Sequence, residues 1–145
     1  MGFVEAIKTC FSKYATFSGR ARRPEYWWFF LFTFILGLIP VVGVISGLVC
    51  LIPSLAVSWR RMHDIGKPGY ASLLGLAGLA VAAVLFGIGN AISPEAGQIG
   101  MGIGVIGVLI CGVVVIVWLA SPTKAGANQY GPEPGKEVDV DGVFE

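Results

Sequence analysis

Charge is what this chain has least of. Only 13% of its 145 residues are Asp, Glu, Lys or Arg, against roughly 25% in ordinary soluble domains. No charged residue lies between Tyr26 and Trp59, and Glu95 stands alone between Tyr70 and Ala120. With 55% hydrophobic residues and a mean hydropathy of +0.78, the chain lacks the polar surface that a water-soluble globule needs. Lipid is the solvent this composition fits. Cysteine is sparse as well. Cys10, Cys50 and Cys111 form an odd, widely spaced set, which argues against a disulfide framework or a zinc site. A cleavable signal peptide is also missing: the first apolar run starts only at Tyr26 and has no small-residue cleavage site.

The charges that are present are grouped. Residues 1–25 carry five basic and two acidic side chains, residues 60–69 three and one, and residues 121–145 two and five. Charges confined to the gaps between long apolar runs mark a polytopic membrane protein. The run from Tyr26 to Trp59, taken as one helix, would be about 51 Å long, against a hydrocarbon core of about 30 Å. It would also set Arg60 and Arg61 across the membrane from the basic N-terminal segment, against the positive-inside rule. Two helices joined by a turn between Gly37 and Gly47 solve both problems. Gly43–Gly47 divides the run most evenly, and Ile39-Pro40 is the second choice.

The pattern therefore predicts an all-α integral membrane protein: a four-transmembrane-helix bundle with a short N-terminal amphipathic helix and a disordered C-terminal tail. Residues 1–132 read as a single membrane domain. Its parts are an amphipathic helix over 2–16, membrane helices over 24–42, 48–65, 70–89 and 99–120, and an ordered tail segment over 121–132. Residues 133–145 read as a disordered acidic tail. Phe3, Ile7, Cys10, Phe11 and Tyr14 share one face of the first helix. That face lies either in the headgroup region or on the protein's own cytoplasmic surface. Pro24 and Glu25 suit a helix start, and Gly66 suits a helix end. Pro53 removes the donor for the Val49 carbonyl, which a membrane helix tolerates when a neighbour supplies another.

All four tryptophans, Trp27, Trp28, Trp59 and Trp118, fall at helix ends on the same side as the basic residues. Trp prefers the interface and Arg the cytoplasm, so both termini are expected inside. Small residues recur at four-residue spacing in Gly43/Gly47, Ala71/Gly75, Gly78/Ala82, Ala83/Gly87 and Gly100/Gly104. Such pairs let helix backbones approach closely, either within one chain or in a homo-oligomer.

Polar chemistry concentrates in Arg20-Ala21-Arg22-Arg23-Pro24-Glu25 and in Trp59-Arg60-Arg61-Met62-His63-Asp64-Ile65-Gly66-Lys67. On a continuing helix Arg60, His63, Asp64 and Lys67 share one face and Arg61 points elsewhere. Three readings compete. The cluster is a structural salt-bridge network with Glu25 and Asp64 as partners. Or Arg20, Arg22, Arg23, Arg60, Arg61 and His63 form an anionic site for a phospholipid headgroup or a partner protein. Or His63 and Asp64 act in catalysis on lipid. The third is disfavoured, because adjacent helical residues diverge by about 100° and no nucleophile or metal-ligand spacing supports it. A non-enzymatic protein without metal or cofactor is expected. A small-solute channel or transporter subunit is the alternative, although no ionisable residue lies within a predicted helix core, where ion pathways need one. The few basic residues at a membrane surface give no support to nucleic-acid binding.

Three segments together resemble a known family: Phe17 to Trp27, Pro53 to Gly66, and Gly126-Ala127-Asn128-Gln129-Tyr130-Gly131-Pro132. They occur in the order found in the bacterial inner-membrane family catalogued as domain of unknown function 805. The chain departs from it after Gly69, where the family often has an aromatic pair and this chain has Tyr70-Ala71. The resemblance implies an inner-membrane protein and supplies no reaction. It also implies that the 126–132 segment folds back onto the Arg60–Asp64 surface through Asn128 or Tyr130.

Overall fold

The computed structural model describes residues 1–135, and these are helical with no strand among them. Five helices follow in order: α1 Phe3–Ser12, α2 Arg23–Gly37, α3 Pro40–Asp64, α4 Leu74–Ile92 and α5 Pro94–Ala120. A 3₁₀ turn, Gly69–Leu73, leads into α4. Two compact units result, rather than the single domain expected from sequence. One comprises Met1–Gly69 with the described residues from Pro122 onward, the other Tyr70–Ser121. Each is built on a hairpin of consecutive helices, which a short turn forces to pack on one another.

Among the described residues, three helices are long and apolar enough to cross a membrane: α3, the stretch Gly69–Ile92 and α5. Their outer faces leave large side chains open, with Val41 73% and Ile92 77% exposed. Water would not tolerate that much contiguous apolar surface, and acyl chains do. α2 has 15 residues, about 22 Å of helix, and falls short of that length.

The turn between α2 and α3 sits at Leu38–Ile39, inside the expected Gly37–Gly47 window and at its second-choice site rather than at 43–47. Proline decides it. Pro40 has no N–H to donate and suits the first helical position. Its ring also pushes the preceding residue out of the helical region, and Ile39 is extended at φ −99°, ψ 112°. Gly43 instead lies inside α3, where a Cβ would come within 2.9 Å of the Gly37 carbonyl oxygen. It serves the close crossing of the hairpin, not its turn. The last helix likewise starts at Pro94, not 99, because Ser93-Pro94-Glu95 is a complete start signal: the Ser93 hydroxyl accepts from the Ala96 amide at 3.1 Å. α1 is shorter than the 2–16 expected, ending at Ser12.

α1 packs on α2 and α3. Phe3 meets Trp28 edge-on at 5.7 Å, and Phe11 meets Phe29 at 5.7 Å. Ala6 and Cys10 are fully buried. Pro53 stays within α3, and the Val49 carbonyl it leaves without a partner accepts a hydrogen bond from the Tyr14 hydroxyl at 2.6 Å. α3 closes with two bonds, Lys67 N–H to Met62 C=O and Gly66 N–H to His63 C=O. Gly66 takes the left-handed φ of 80° this closure needs.

In the second unit α4 and α5 run side by side on their small residues. A Cβ on Gly100 would sit 2.6 Å from the Leu85 carbonyl oxygen, and one on Gly104 would sit 2.5 Å from Ala82. Gly102 faces open space. Gly104→Val should therefore destabilise the protein by about 1–3 kcal/mol through overpacking, while Gly102→Val stays near wild type. Thermal unfolding in detergent checks this, and equal losses from both variants would contradict it.

Candidate functional site

The polar segments converge at one end of the α2–α3 hairpin. Gly19 permits the chain after α1 to turn, and Ala21 N–H then bonds the Arg60 carbonyl at 3.1 Å. This fixes residues 19–22 beside the last turn of α3. From the other direction, residues 122–135 fold back over the same turn. Lys124 N–H bonds the Asp64 carbonyl at 3.2 Å, the Asn128 amide donates to the His63 carbonyl at 2.9 Å, and the Tyr130 ring stacks parallel on His63 at 3.8 Å. Asn128 and Gly131 close a tight turn by a pair of 3.0 Å bonds, with Gly131 at φ 136°.

Arg20 joins these three pieces. Its Nε donates to Asp64 Oδ1 at 3.0 Å. Nη1 donates to the Gly126 carbonyl at 2.6 Å and to the Gly131 carbonyl at 3.5 Å. Nη2 donates to the carbonyls of Asp64 and Lys124. A guanidinium has five N–H donors, and all of Arg20's have acceptors. Its side chain and that of Asp64 are 1% and 0% exposed. Asp64 takes Arg61 on its other oxygen. Arg60 turns the opposite way and pairs with Glu25 Oε1 at 2.5 Å.

Each sequence-predicted residue can now be placed. Arg20, Glu25, Arg60, Arg61, His63 and Asp64 are buried; Arg22 is half-buried and Arg23 exposed. Arg61 does not point away as expected. Three residues before Asp64, it lies on a neighbouring row of the helix and reaches the carboxylate. Lys67 does not share that face, because α3 ends at Asp64 and the chain turns at Gly66. Residues 133–135 belong to the site rather than to a disordered tail. Arg22 Nε donates to the Pro134 carbonyl at 2.6 Å, and Glu133 accepts from Gly126 N–H at 2.8 Å. The remainder of the expected tail, 136–145, lies outside the described residues. His63 brings Nδ1 within 3.1 Å of the Gly19 carbonyl. A carbonyl only accepts, so Nδ1 carries the proton there.

Below this layer Cys10 contacts the Glu25 carbonyl at 4.0 Å. Burial first, then the Glu25 carboxylate, pushes its thiol up to about 12, so it stays a protonated packing group at neutral pH. Arg60 keeps Nε and Nη2 buried without a hydrogen-bond partner. Three guanidiniums thus share two carboxylates in a buried site, and backbone carbonyls supply the remaining partners of Arg20. Sequence reasoning missed those carbonyls, and it missed Tyr14 as the donor to Val49. Pro53 signalled that a donor was needed, but only the packing of α1 names it.

Arg20→Lys keeps the charge but offers a single point donor in place of the planar fork. It should free residues 122–135, and trypsin should then cut at Lys124 about tenfold faster or more, the equivalent of one lost charge-assisted bond. An unchanged rate would contradict the clamp.

The profile described as "Protein of unknown function (DUF805)" matches residues 14–43 and 36–132, which contain the whole arginine cluster and the clamped segment as far as Pro132. Inner membrane protein YhaH of Escherichia coli K12 is 31% identical over 140 residues, spanning 86% of this chain and 91% of YhaH. Inner membrane protein YhaI of the same strain is 41% identical over 73 residues, spanning 42% of this chain and 62% of YhaI. No solved structure matches the chain. The chain belongs to the DUF805 family of unknown function, in company with inner membrane proteins of E. coli.

Proposed function

We propose that this is a non-enzymatic, four-span protein of the bacterial inner membrane, with both ends in the cytoplasm, whose cytoplasmic face binds anionic lipid headgroups. α2 counts as the first span. It packs against α3 and shares the Glu25–Arg60 ion pair with it at one end and the Leu38–Ile39 turn at the other, so the two cross together and the bilayer thins or they tilt to fit. The basic residues then lie on one side with Trp27, Trp28 and Trp59, as the positive-inside rule and the aromatic belt require. α1 lies at that interface, its inner face on α2 and its Lys8 and Lys13 side exposed.

One observation carries the headgroup reading. The cluster divides its arginines into two classes. Arg20, Arg60 and Arg61 are buried in internal pairs and are the structural network. Arg23, exposed at the first residue of α2, and half-buried Arg22 stand at the rim, where a surface charge near anionic lipid gains about 1 kcal/mol. His63 gives Nδ1 to Gly19 and its ring face to Tyr130, an arrangement suited to packing more than to acid–base work. Small-residue faces with open space, such as that of Gly47, leave room for association between copies as well.

Native mass spectrometry from nanodiscs of mixed lipid should find phosphatidylglycerol retained over phosphatidylcholine. Equal retention would refute the headgroup reading. A periplasmic alkaline phosphatase reporter should be active when inserted after Leu38 and inactive after Gly135, and the reverse pattern would refute the topology.

A further inference from the structure

A polar cleft of about 510 Å³ opens between α1, the start of α2 and the returning C-terminal segment, with Glu5, Lys13, Arg22, Glu25, Glu133 and Gly135 in its wall. Small-molecule sites commonly have about 300–1,000 Å³. Several charges of this wall are already satisfied within the protein. Glu5 takes the amino terminus of Met1 at 3.9 Å and the Gly2 N–H at 3.1 Å. Glu133 accepts from Gly126 N–H. Three groups keep bonding capacity toward the cleft. Arg22 is held by one bond, from Nε to the Pro134 carbonyl at 2.6 Å, and among the described residues its two Nη groups have no acceptor. Its guanidinium lies where a Cβ on Gly135 would collide with Nη2, and Gly135 takes the left-handed φ of 82°. Lys13 is exposed, and among the described residues its Nζ makes no hydrogen bond or ion pair. The Glu25 side chain is only 5% exposed; Oε1 takes Arg60, and Oε2 is the oxygen left for the cleft.

Two cations and one carboxylate oxygen do not suit a simple ion. A bare anion would meet Glu25, and a bare cation would meet Lys13 and Arg22. A molecule that carries both charges satisfies all three. A phosphate offers separate oxygens to an Arg fork and a Lys, and a primary ammonium offers N–H donors to a carboxylate. We infer that this cleft binds the phosphoethanolamine group, with its phosphate on Arg22 and Lys13 and its ammonium on Glu25 Oε2. Two sources offer that group, the headgroup of phosphatidylethanolamine and free phosphoethanolamine. The inference goes beyond the anionic-headgroup reading and does not rest on it, because the ammonium is recognised along with the phosphate.

Calorimetric titration of the full chain in phosphatidylcholine nanodiscs separates the two charges. Phosphoethanolamine should bind, and propyl phosphate, without the ammonium, and ethanolamine, without the phosphate, should each bind about tenfold more weakly or worse, the equivalent of one charge-assisted bond. Lys13→Gln should weaken phosphoethanolamine binding about tenfold. Lys8→Gln, at an exposed lysine of α1 outside the cleft, should leave it unchanged. Thermal unfolding shows that both variants are folded. Propyl phosphate binding as tightly as phosphoethanolamine overturns the role of Glu25, and equal losses from the two lysine variants overturn the cleft. Native mass spectrometry from nanodiscs of equal phosphatidylethanolamine and phosphatidylcholine distinguishes the sources. Phosphatidylethanolamine retained by the wild-type protein and lost with Lys13→Gln supports the site with the lipid as ligand. Binding of the free molecule without such retention supports the site with the free molecule as ligand. Neither binding nor retention overturns the inference, whatever the result with phosphatidylglycerol.

Discussion

The Arg20 guanidinium is the interaction on which the rest of this end of the α2–α3 hairpin depends. It sits where three pieces of chain meet: the turn before α2, the last turn of α3 and the returning C-terminal segment. Its five N–H groups reach Asp64 and the carbonyls of Asp64, Lys124, Gly126 and Gly131. The acceptors are separated by up to 111 positions in sequence from Arg20. Among the described residues no disulfide joins these pieces, and only single backbone bonds, Ala21 to Arg60 and Lys124 to Asp64, run between them. In a dry environment a guanidinium left without acceptors is costly, and one partner removed from a buried pair costs about 3–5 kcal/mol. Arg20 therefore fixes the three pieces in register, because any displacement strands one of its donors.

From this the division of labour at the surface follows. Asp64 is shared by Arg20 and Arg61, Glu25 takes Arg60, and Ala21 N–H ties the first segment to the Arg60 carbonyl. The densest basic cluster of the sequence is thereby turned inward, while the first residue of α2, Arg23, is exposed. Within the apolar helices the controlling constraint is different. Close approach on Gly100 and Gly104 joins α4 to α5, since helices in lipid gain little from burying one apolar side chain against another. Polar bonds hold the charged end of the first hairpin, and shape holds the second hairpin.

The sequence made some of this legible. Period and charge gaps located the apolar helices, Gly66 marked the end of α3, and the three family-like segments pointed to a surface they would share. What the residues could not convey is non-local. That Arg60 turns to Glu25 while Arg61 takes Asp64 depends on how α2 and α3 cross. The donor to Val49 depends on where α1 lands. Even division of the apolar run favours a turn at 43–47, and the local rule that proline ends the helix before it favours 39–40; the local rule decides. Glu133 to Gly135 read as tail from composition alone, yet Arg22 and Gly126 give their backbone and side chains partners.

The segment after α5 is locked to the end of α3. The Lys124 amide, which donates to the Asp64 carbonyl at 3.2 Å, reports on it directly. Hydrogen exchange of this amide, followed residue by residue in lipid nanodiscs, should be as slow as exchange in the last turn of α3. Exchange at the rate of an unstructured peptide would contradict the account.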